Sequence, residues 1–346
     1  VDKMRAAVMD GKREVSLKST DIPVPKDNEV LIKVDTVGVC GSDLHYYSQG
    51  KIGDMIVETP FILGHECAGV IVDIGKNVQN LSIGDKVAVE PGVPCGKCEF
   101  CLQGKYNLCS DLVFMATPPD NGCLMDYIVY PSQWVFKIPD NMSFAEGALI
   151  EPLAVGMHAV AQAQADIGKS ALIFGAGCIG LLTLLTLKSR GITNIYIVDM
   201  IDSRLDKAKE LGATETINVK NENVTTIINK LTDDKGVDMV FEMTGSPQAI
   251  SQTVKTVKKG GTIICVGLGS EKDVSFDLGG LIWKEATLKT VFRYRNLYPS
   301  AIEAVSKGII PVKEIISHIY NLEDISEALE YHVNCKNDII KMIIKL

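Results

Sequence analysis

The sequence predicts an α/β protein of two domains, one of them built on a doubly wound parallel sheet, and three observations carry that expectation. The chain has 346 residues, more than the ~250 at which a single core usually divides. From Ser170 it reads SALIFGAGCIGLLTLLTLKSRG and then NIYIVDM: a short apolar run, a glycine turn, a helical stretch and a second apolar run. That pattern is a βαβ unit, whose parallel strands are buried on both faces. The alternation continues through KGVDMVFEMTGS, PQAISQTVKTVKKGG and GTIICVGLGS, which read as strand, helix and strand.

Composition narrows the class of function. A hydrophobic fraction of 46% and a charged fraction of 23% are those of a globular protein and exclude general disorder. The net charge of -8, with no stripe of Lys and Arg to offset it, argues against nucleic-acid binding. No apolar run approaches the ~18 residues of a membrane span, and VDKMRAAVMD lacks the apolar core of a signal peptide. No membrane partner and a cytoplasmic location are therefore expected.

The glycine turn carries the first chemistry. Gly175, Gly177 and Gly180 form G-x-G-x-x-G where strand passes into helix. The first two permit a tight turn and close approach of a pyrophosphate, the third permits close helix packing, and the helix N-terminus favours the anion. Asp199 ends the next strand, near the ~20-residue interval expected of the acid that binds the adenosine ribose. A carboxylate there accepts bonds from free ribose hydroxyls and repels a 2′-phosphate, so NAD is expected rather than NADP. Arg204, one turn into the following helix, packs near the adenosine or is a solvated helix charge. The loop at Val266 and Gly267 falls at the carboxyl end of a further strand, where such sheets bind ligands.

Ten cysteines divide into a crowded set and a scattered one. Cys95, Cys98, Cys101 and Cys109 form C-x2-C-x2-C-x7-C in a loop of glycines and proline with no apolar period. Thiolates this close repel one another without a cation, and four sulfurs make a closed tetrahedral zinc site with no position for substrate. An iron–sulfur cluster is the competing reading, and disulfides the third.

The first half ends an alternating run, EVLIKVDTVGVCGSDLHYY, in Cys40, Ser42, Asp43 and His45. The stretch FILGHECAG then places His65, Glu66 and Cys67 at the end of an apolar run, where packing has no use for an imidazole beside a carboxylate. A thiolate with an imidazole and carboxylate supplies the three ligands that leave a catalytic zinc one open position. A lone buried Cys is more often inert core.

In order along the chain stand GVCGSDLHYY, ILGHECAG, VAVEPGVPCGKCEFC, KYNLC, ATPP, LIEPLAVG, GAGCIG and VFRY. With these motifs the sequence resembles the zinc-dependent medium-chain dehydrogenases end to end, and most of all their sorbitol (polyol) branch. The resemblance implies a GroES-like β-rich catalytic domain over residues 1–152, completed by 290–346, and a Rossmann domain over 153–289. It implies two zinc ions per chain, one structural on the four cysteines and one catalytic on Cys40, His65 and Glu66. Glu151 stands where the alcohol dehydrogenase branch has a cysteine ligand, and binds the metal directly or holds its water and substrate. Ser42 and His45 resemble a proton relay, and Asp43 a residue that orients His65. Cys67, opposite to Glu66 on an extended segment, is core.

The implied cofactor set is Gly175, Gly177, Ile179, Gly180, Asp199, Arg204, Val266, Gly267, Leu268, Val291, Phe292 and Arg293. Tyr46, Glu151, Arg293 and Tyr294 match positions that bind substrate hydroxyls in the polyol branch. His158, His318 and His332 lack ligand spacing, and Cys123, Cys178, Cys265 and Cys335 are read as packing.

The expected function is thus NAD- and zinc-dependent oxidation of a polyol such as sorbitol or xylitol to a ketose. Alternatives are the same fold acting on threonine or butanediol, and a catalytically silent NAD-binding homologue. A homo-tetramer is implied, with a dimer the alternative.

Overall fold

A computed structural model describes residues 2–346. The chain divides into two compact units: one runs to Glu151 and resumes over Tyr298–Leu346, and the other is Pro152–Leu297. Residues 290–297, expected with the first domain, group with the second unit. The strand Thr287–Thr290 lies in that unit's sheet, and Val291 N continues the pairing onto Cys265 O at 3.0 Å. The first unit resumes at Tyr298, whose hydroxyl donates to Val89 O at 2.9 Å.

The first unit is β-rich. Its seven-stranded sheet runs Val135–Lys137, Lys86–Val89, Glu66–Ile74, Glu29–Gly38, Lys341–Lys345 and Ile316–Asn321, with Tyr127–Pro131 also paired to Glu29–Gly38. The central strand, EVLIKVDTVG, is rich in β-branched residues and buried at Val30, Ile32, Val34 and Val37. The final strand pairs with it antiparallel, Ile343 opposite Gly38, so the last residues of the chain lie inside the sheet, between Glu29–Gly38 and Ile316–Asn321. Cys67 points into this core with Val37, Cys123 and Leu124.

The second unit holds a six-stranded parallel sheet. Its order is Glu215–Asn218, Asn194–Asp199, Ser170–Phe174, Val237–Glu242, Val257–Cys265 and Thr287–Thr290. Taken in chain order the strands run 3-2-1-4-5-6, the doubly wound arrangement. The order reverses between Ser170–Phe174 and Val237–Glu242, and ligands of such sheets bind outside the carboxyl ends of strands at that reversal. Among the described residues no helix is long and apolar enough to cross a membrane.

Candidate functional site

Two strands of the first unit bring Cys40, His65 and Glu66 together. Glu29–Gly38 is followed by Cys40 as N-cap of the helix Gly41–Gln49. Glu66 opens the antiparallel strand Glu66–Ile74 with Gly38 opposite it in register. A Cβ on Gly38 would collide with Glu66 Oε2, so glycine leaves the room this carboxylate needs. One ligand atom from each of Cys40, His65 and Glu66 lies within 4.8 Å of the others. His65 and Glu66 are buried, and Cys40 is half-buried.

Asp43 fixes both segments through their backbones. Its Oδ2 accepts from Cys40 N at 2.9 Å and its Oδ1 from Gly64 N at 2.9 Å, while His65 Nδ1 stands 3.8 Å from Oδ1. His65 Nδ1 is buried with no hydrogen-bond partner among the described residues. Burial opposes a charge on His65, but Cys40, Asp43 and Glu151 outweigh it and hold its pKa well above the ordinary value. A thiol, an imidazole and carboxylates so gathered favour a cation. Phe114 packs its ring 5.6 Å from the imidazole.

Glu151 is buried in the first turn of the helix Ile150–Gln162, and among the described residues it is not part of the three-residue ligand group. Ser42 and His45 share one face of the helix Gly41–Gln49, three residues apart, with Ser42 half-buried and His45 exposed. Tyr46 on the same helix is buried against Phe61, with its hydroxyl 3.9 Å from Met55 Sδ.

The four-cysteine loop closes on itself. One sulfur from each of Cys95, Cys98, Cys101 and Cys109 lies within 4.8 Å of the others, and all four are free thiols. Cys98 and Cys101 sulfurs are 3.4 Å apart, and those of Cys95 and Cys101 4.0 Å. Backbone N–H groups point at the sulfurs, Cys98 N to Cys95 Sγ at 3.3 Å and Cys95 N to Cys109 Sγ at 3.4 Å. Hydrogen bonds from the backbones of Lys97 and Cys98 lower the Cys95 pKa to about 7, towards the thiolate a metal binds.

In the second unit the glycine turn has the geometry its motif requires. Gly175 follows the strand Ser170–Phe174 with φ of 105°, and a Cβ on Gly180 would collide with Gly175 O. Gly177 caps the helix Cys178–Ser189, with Ile179 in its first turn. A Cβ on Gly177 would meet only Arg204 Nη1, at 3.8 Å, so this face of the turn is open and a guanidinium stands beside it. Asp199 Oδ2 accepts from Ala176 N at 2.7 Å, and Oδ1 from Met200 N at 2.7 Å and Ile201 N at 3.0 Å. The acid thereby pins the glycine turn to the end of its own strand.

Val266 and Gly267 follow the strand Val257–Cys265, and the next residue, Leu268, is 82% exposed. Beyond the edge strand, Phe292 is exposed with the Arg293 guanidinium 4.7 Å above its ring, and Tyr294 is buried. Arg293 has φ of 55°, a conformation uncommon outside glycine.

Residues 26–140 match the alcohol dehydrogenase GroES-like domain, and residues 178–307 match the zinc-binding dehydrogenase domain. The chain is 42% identical over 341 residues to sorbitol dehydrogenase of Bacillus subtilis, covering 99% of this chain and 97% of that one. It belongs to the zinc-type alcohol dehydrogenase family. Among solved structures, an Escherichia coli oxidoreductase/dehydrogenase of unknown specificity is 44% identical with a TM-score of 0.95, covering 99% of each chain. The 2R,3R-butanediol dehydrogenase of Bacillus subtilis is 30% identical with a TM-score of 0.91, again over 99% of each.

This zinc-type dehydrogenase carries donor sets that suit Zn2+ in both places, thiol with imidazole and carboxylate in one and four thiols in the other. Two further buried charges stand beside them and went unread in the sequence. Lys341 donates to Glu66 Oε1 at 2.8 Å from the final strand. Glu90 accepts from the Tyr106 hydroxyl at 2.5 Å, and burial, with the Glu151 charge, raises its pKa to about 7. The visible signal for each was a charge at the edge of an apolar run, KMIIKL and VAVEPG.

Proposed function

We propose that the chain is an NAD-dependent polyol dehydrogenase that oxidises a secondary hydroxyl of sorbitol, xylitol or a related polyol to a ketose, and reduces the ketose in reverse. The grouping of Cys40, His65 and Glu66 carries this reading, in a chain 42% identical to a sorbitol dehydrogenase. When bound, zinc supplies the Lewis acidity that lowers the pKa of a substrate hydroxyl, and NAD supplies the hydride acceptor.

Cys40, His65 and Glu66 hold the catalytic metal and leave one position open. Cys95, Cys98, Cys101 and Cys109 hold the structural one. Glu151, outside the three-residue group, orients water and substrate through its carboxylate. Ser42, half-buried, passes the hydroxyl proton along its helix face towards exposed His45. Tyr46, Arg293 and Tyr294 bind the remaining hydroxyls, the guanidinium offering about five fixed donors. An ionised carboxylate accepts about four hydrogen bonds, and the three N–H groups on Asp199 leave capacity for a ribose hydroxyl. The same charge disfavours a 2′-phosphate, while Arg204 flanks the pyrophosphate turn. Ile179, Val266, Gly267, Leu268, Val291 and Phe292 complete the dinucleotide contacts. A homo-tetramer in the cytoplasm is the assembly and location this reading carries.

A second reading, oxidation of a smaller secondary alcohol such as butanediol, draws on the likeness to the butanediol enzyme. Steady-state kinetics on sorbitol, xylitol, galactitol, threonine and 2,3-butanediol, each with NAD and NADP, separates the two. The polyol reading expects the highest kcat/KM on a polyol with NAD. A higher value on butanediol or threonine favours the second reading, and no turnover by zinc-replete protein points to a silent homologue.

A further inference from the structure

Glu242 is fully buried at the carboxyl end of the strand Val237–Glu242, beside the reversal of strand order. A carboxylate out of water needs donors. Thr244 N donates to it at 2.8 Å, Gly245 N reaches its two oxygens at 3.1 and 3.0 Å, and the Thr244 hydroxyl adds a close bond. Burial raises the pKa of this carboxyl above the ordinary value, and those donors offset the rise only in part. The backbone oxygen of the same residue accepts from Val266 N at 2.9 Å and Gly267 N at 3.1 Å. One residue therefore holds residues 244–245 by its side chain and the loop after Cys265 by its main chain.

The segments it holds are packed without slack. Gly245 has φ of 68°, and a Cβ there would collide with Gly269 N. A Cβ on Gly267 would collide with Gly245 N, so the two loops touch backbone to backbone. Towards the neighbouring strand, Thr244 Cγ2 lies 2.9 Å from where a Cβ on Gly175 would stand. Gly175 is the first glycine of the G-x-G-x-x-G turn. Contacts thus run from Glu242 through Thr244 to the glycine turn, and through Val266 and Gly267 to the second loop.

We propose that Glu242 is a positioning residue for the dinucleotide, setting the spacing between the turn Gly175–Gly180 and the loop Val266–Gly269. It acts through Thr244, Gly245 and Gly267. The inference rests on the reading of this unit as an NAD site. Glutamine keeps the volume of Glu242, but its amide nitrogen would face the N–H of Gly245, donor against donor. The turn then loses at least one bond to a charged acceptor.

The test is NADH affinity by fluorescence titration of the whole enzyme, for the parent, Glu242→Gln and Thr244→Val. Zinc content and circular dichroism establish that each is folded. Glu242→Gln is expected to bind NADH about tenfold more weakly, the scale of one charge-assisted hydrogen bond. The KM for NAD should rise in step, with kcat at saturating NAD near the parent value. Thr244→Val should weaken NADH binding about threefold, as for a neutral bond. A purely structural role would lower the melting temperature and leave NADH affinity unchanged well below it. Parent-like affinity in folded Glu242→Gln overturns the inference; should that variant fail to fold, parent-like affinity in Thr244→Val does so. A zinc-replete parent that binds no NADH overturns the cofactor reading, and the inference with it.

Discussion

Lys341 and Glu66 form a buried ion pair next to the candidate metal centre. Lys341 Nζ lies 2.8 Å from Glu66 Oε1 and 2.5 Å from Oε2, and donates to Val39 O at 2.9 Å. The side chains are 3% and 1% exposed. One ammonium thus ties the last strand to a proposed metal ligand and to the residue before Cys40. Buried pairs add little net stability when both partners are replaced, but removing one partner strands a charge. Lys341→Met should therefore destabilise the protein by about 3 kcal/mol, and Lys341→Met with Glu66→Gln should cost less than Lys341→Met alone. Denaturant unfolding of Lys341→Met, Glu66→Gln and the double variant checks this; a double-variant loss equal to the sum of the two single losses would show that the pair is not coupled.

The four-cysteine loop should matter to folding more than to turnover. A closed thiolate site contributes its binding energy to stability. Cys98→Ser is expected to lower the melting temperature and soluble yield, while the surviving folded protein keeps much of its kcat. Metal analysis should fall from about two zinc ions per chain to about one. A parent with a single zinc and a disulfide among these cysteines would contradict the assignment.

Cofactor preference should shift with Asp199. Asp199→Ala removes the acceptor for the ribose and releases the N–H groups of Ala176, Met200 and Ile201. The KM for NAD should rise about tenfold and the preference over NADP should narrow, because the repulsive charge has gone. An unchanged ratio of kcat/KM values for NAD and NADP would place the acid away from the ribose.

One pH response follows from His158. It is buried on the helix Ile150–Gln162, and burial, with the nearby charge of Arg295, lowers its pKa to about 4. An exposed imidazole in the unfolded chain titrates near about 6.5. Above that value the group is neutral in both states and favours neither. Below it the unfolded chain takes up a proton that the fold refuses, so stability falls as pH drops from about 6.5 towards 4. His158→Asn should reduce the difference in melting temperature between about pH 7.5 and about pH 5.5. An equal difference in parent and variant would assign the acid loss to other groups.

What could be read from the sequence was what is local in the chain. Strand and helix in the second unit follow from runs such as SALIF and NIYIVD, and the glycine turn lies between two such elements. Cys95, Cys98, Cys101 and Cys109 fall within one loop, so their grouping required no knowledge of tertiary pairing. Cys40 and Glu66 meet only because Gly38 and Glu66 are register partners across two strands, which spacing alone does not dictate. The resemblance to a family supplied that step. Lys341 lies 275 residues from Glu66, and neither periodicity nor motif links a lysine in a terminal strand to a carboxylate so distant. Asp43 was expected to orient His65; its oxygens also accept from the backbones of Cys40 and Gly64, which the sequence did not reveal, while His65 Nδ1 stands 3.8 Å from Oδ1. Residues 290–297 follow the parallel sheet because pairing continues past Thr290, which a change in motif does not reveal.

Zinc retention in Glu66→Gln, compared with Glu151→Gln and Cys67→Ala, tests the proposed metal centre most directly. Glu66 groups with Cys40 and His65, whereas Cys67 points into the core and Glu151 falls outside the group. After mild chelation, Glu66→Gln should lose the catalytic zinc and most of its turnover. Glu151→Gln should keep zinc and lose single-turnover hydride transfer, and Cys67→Ala should keep both at a modest packing cost. Full retention of zinc in Glu66→Gln, with loss in Glu151→Gln, would contradict the assignment and make Glu151 the third ligand.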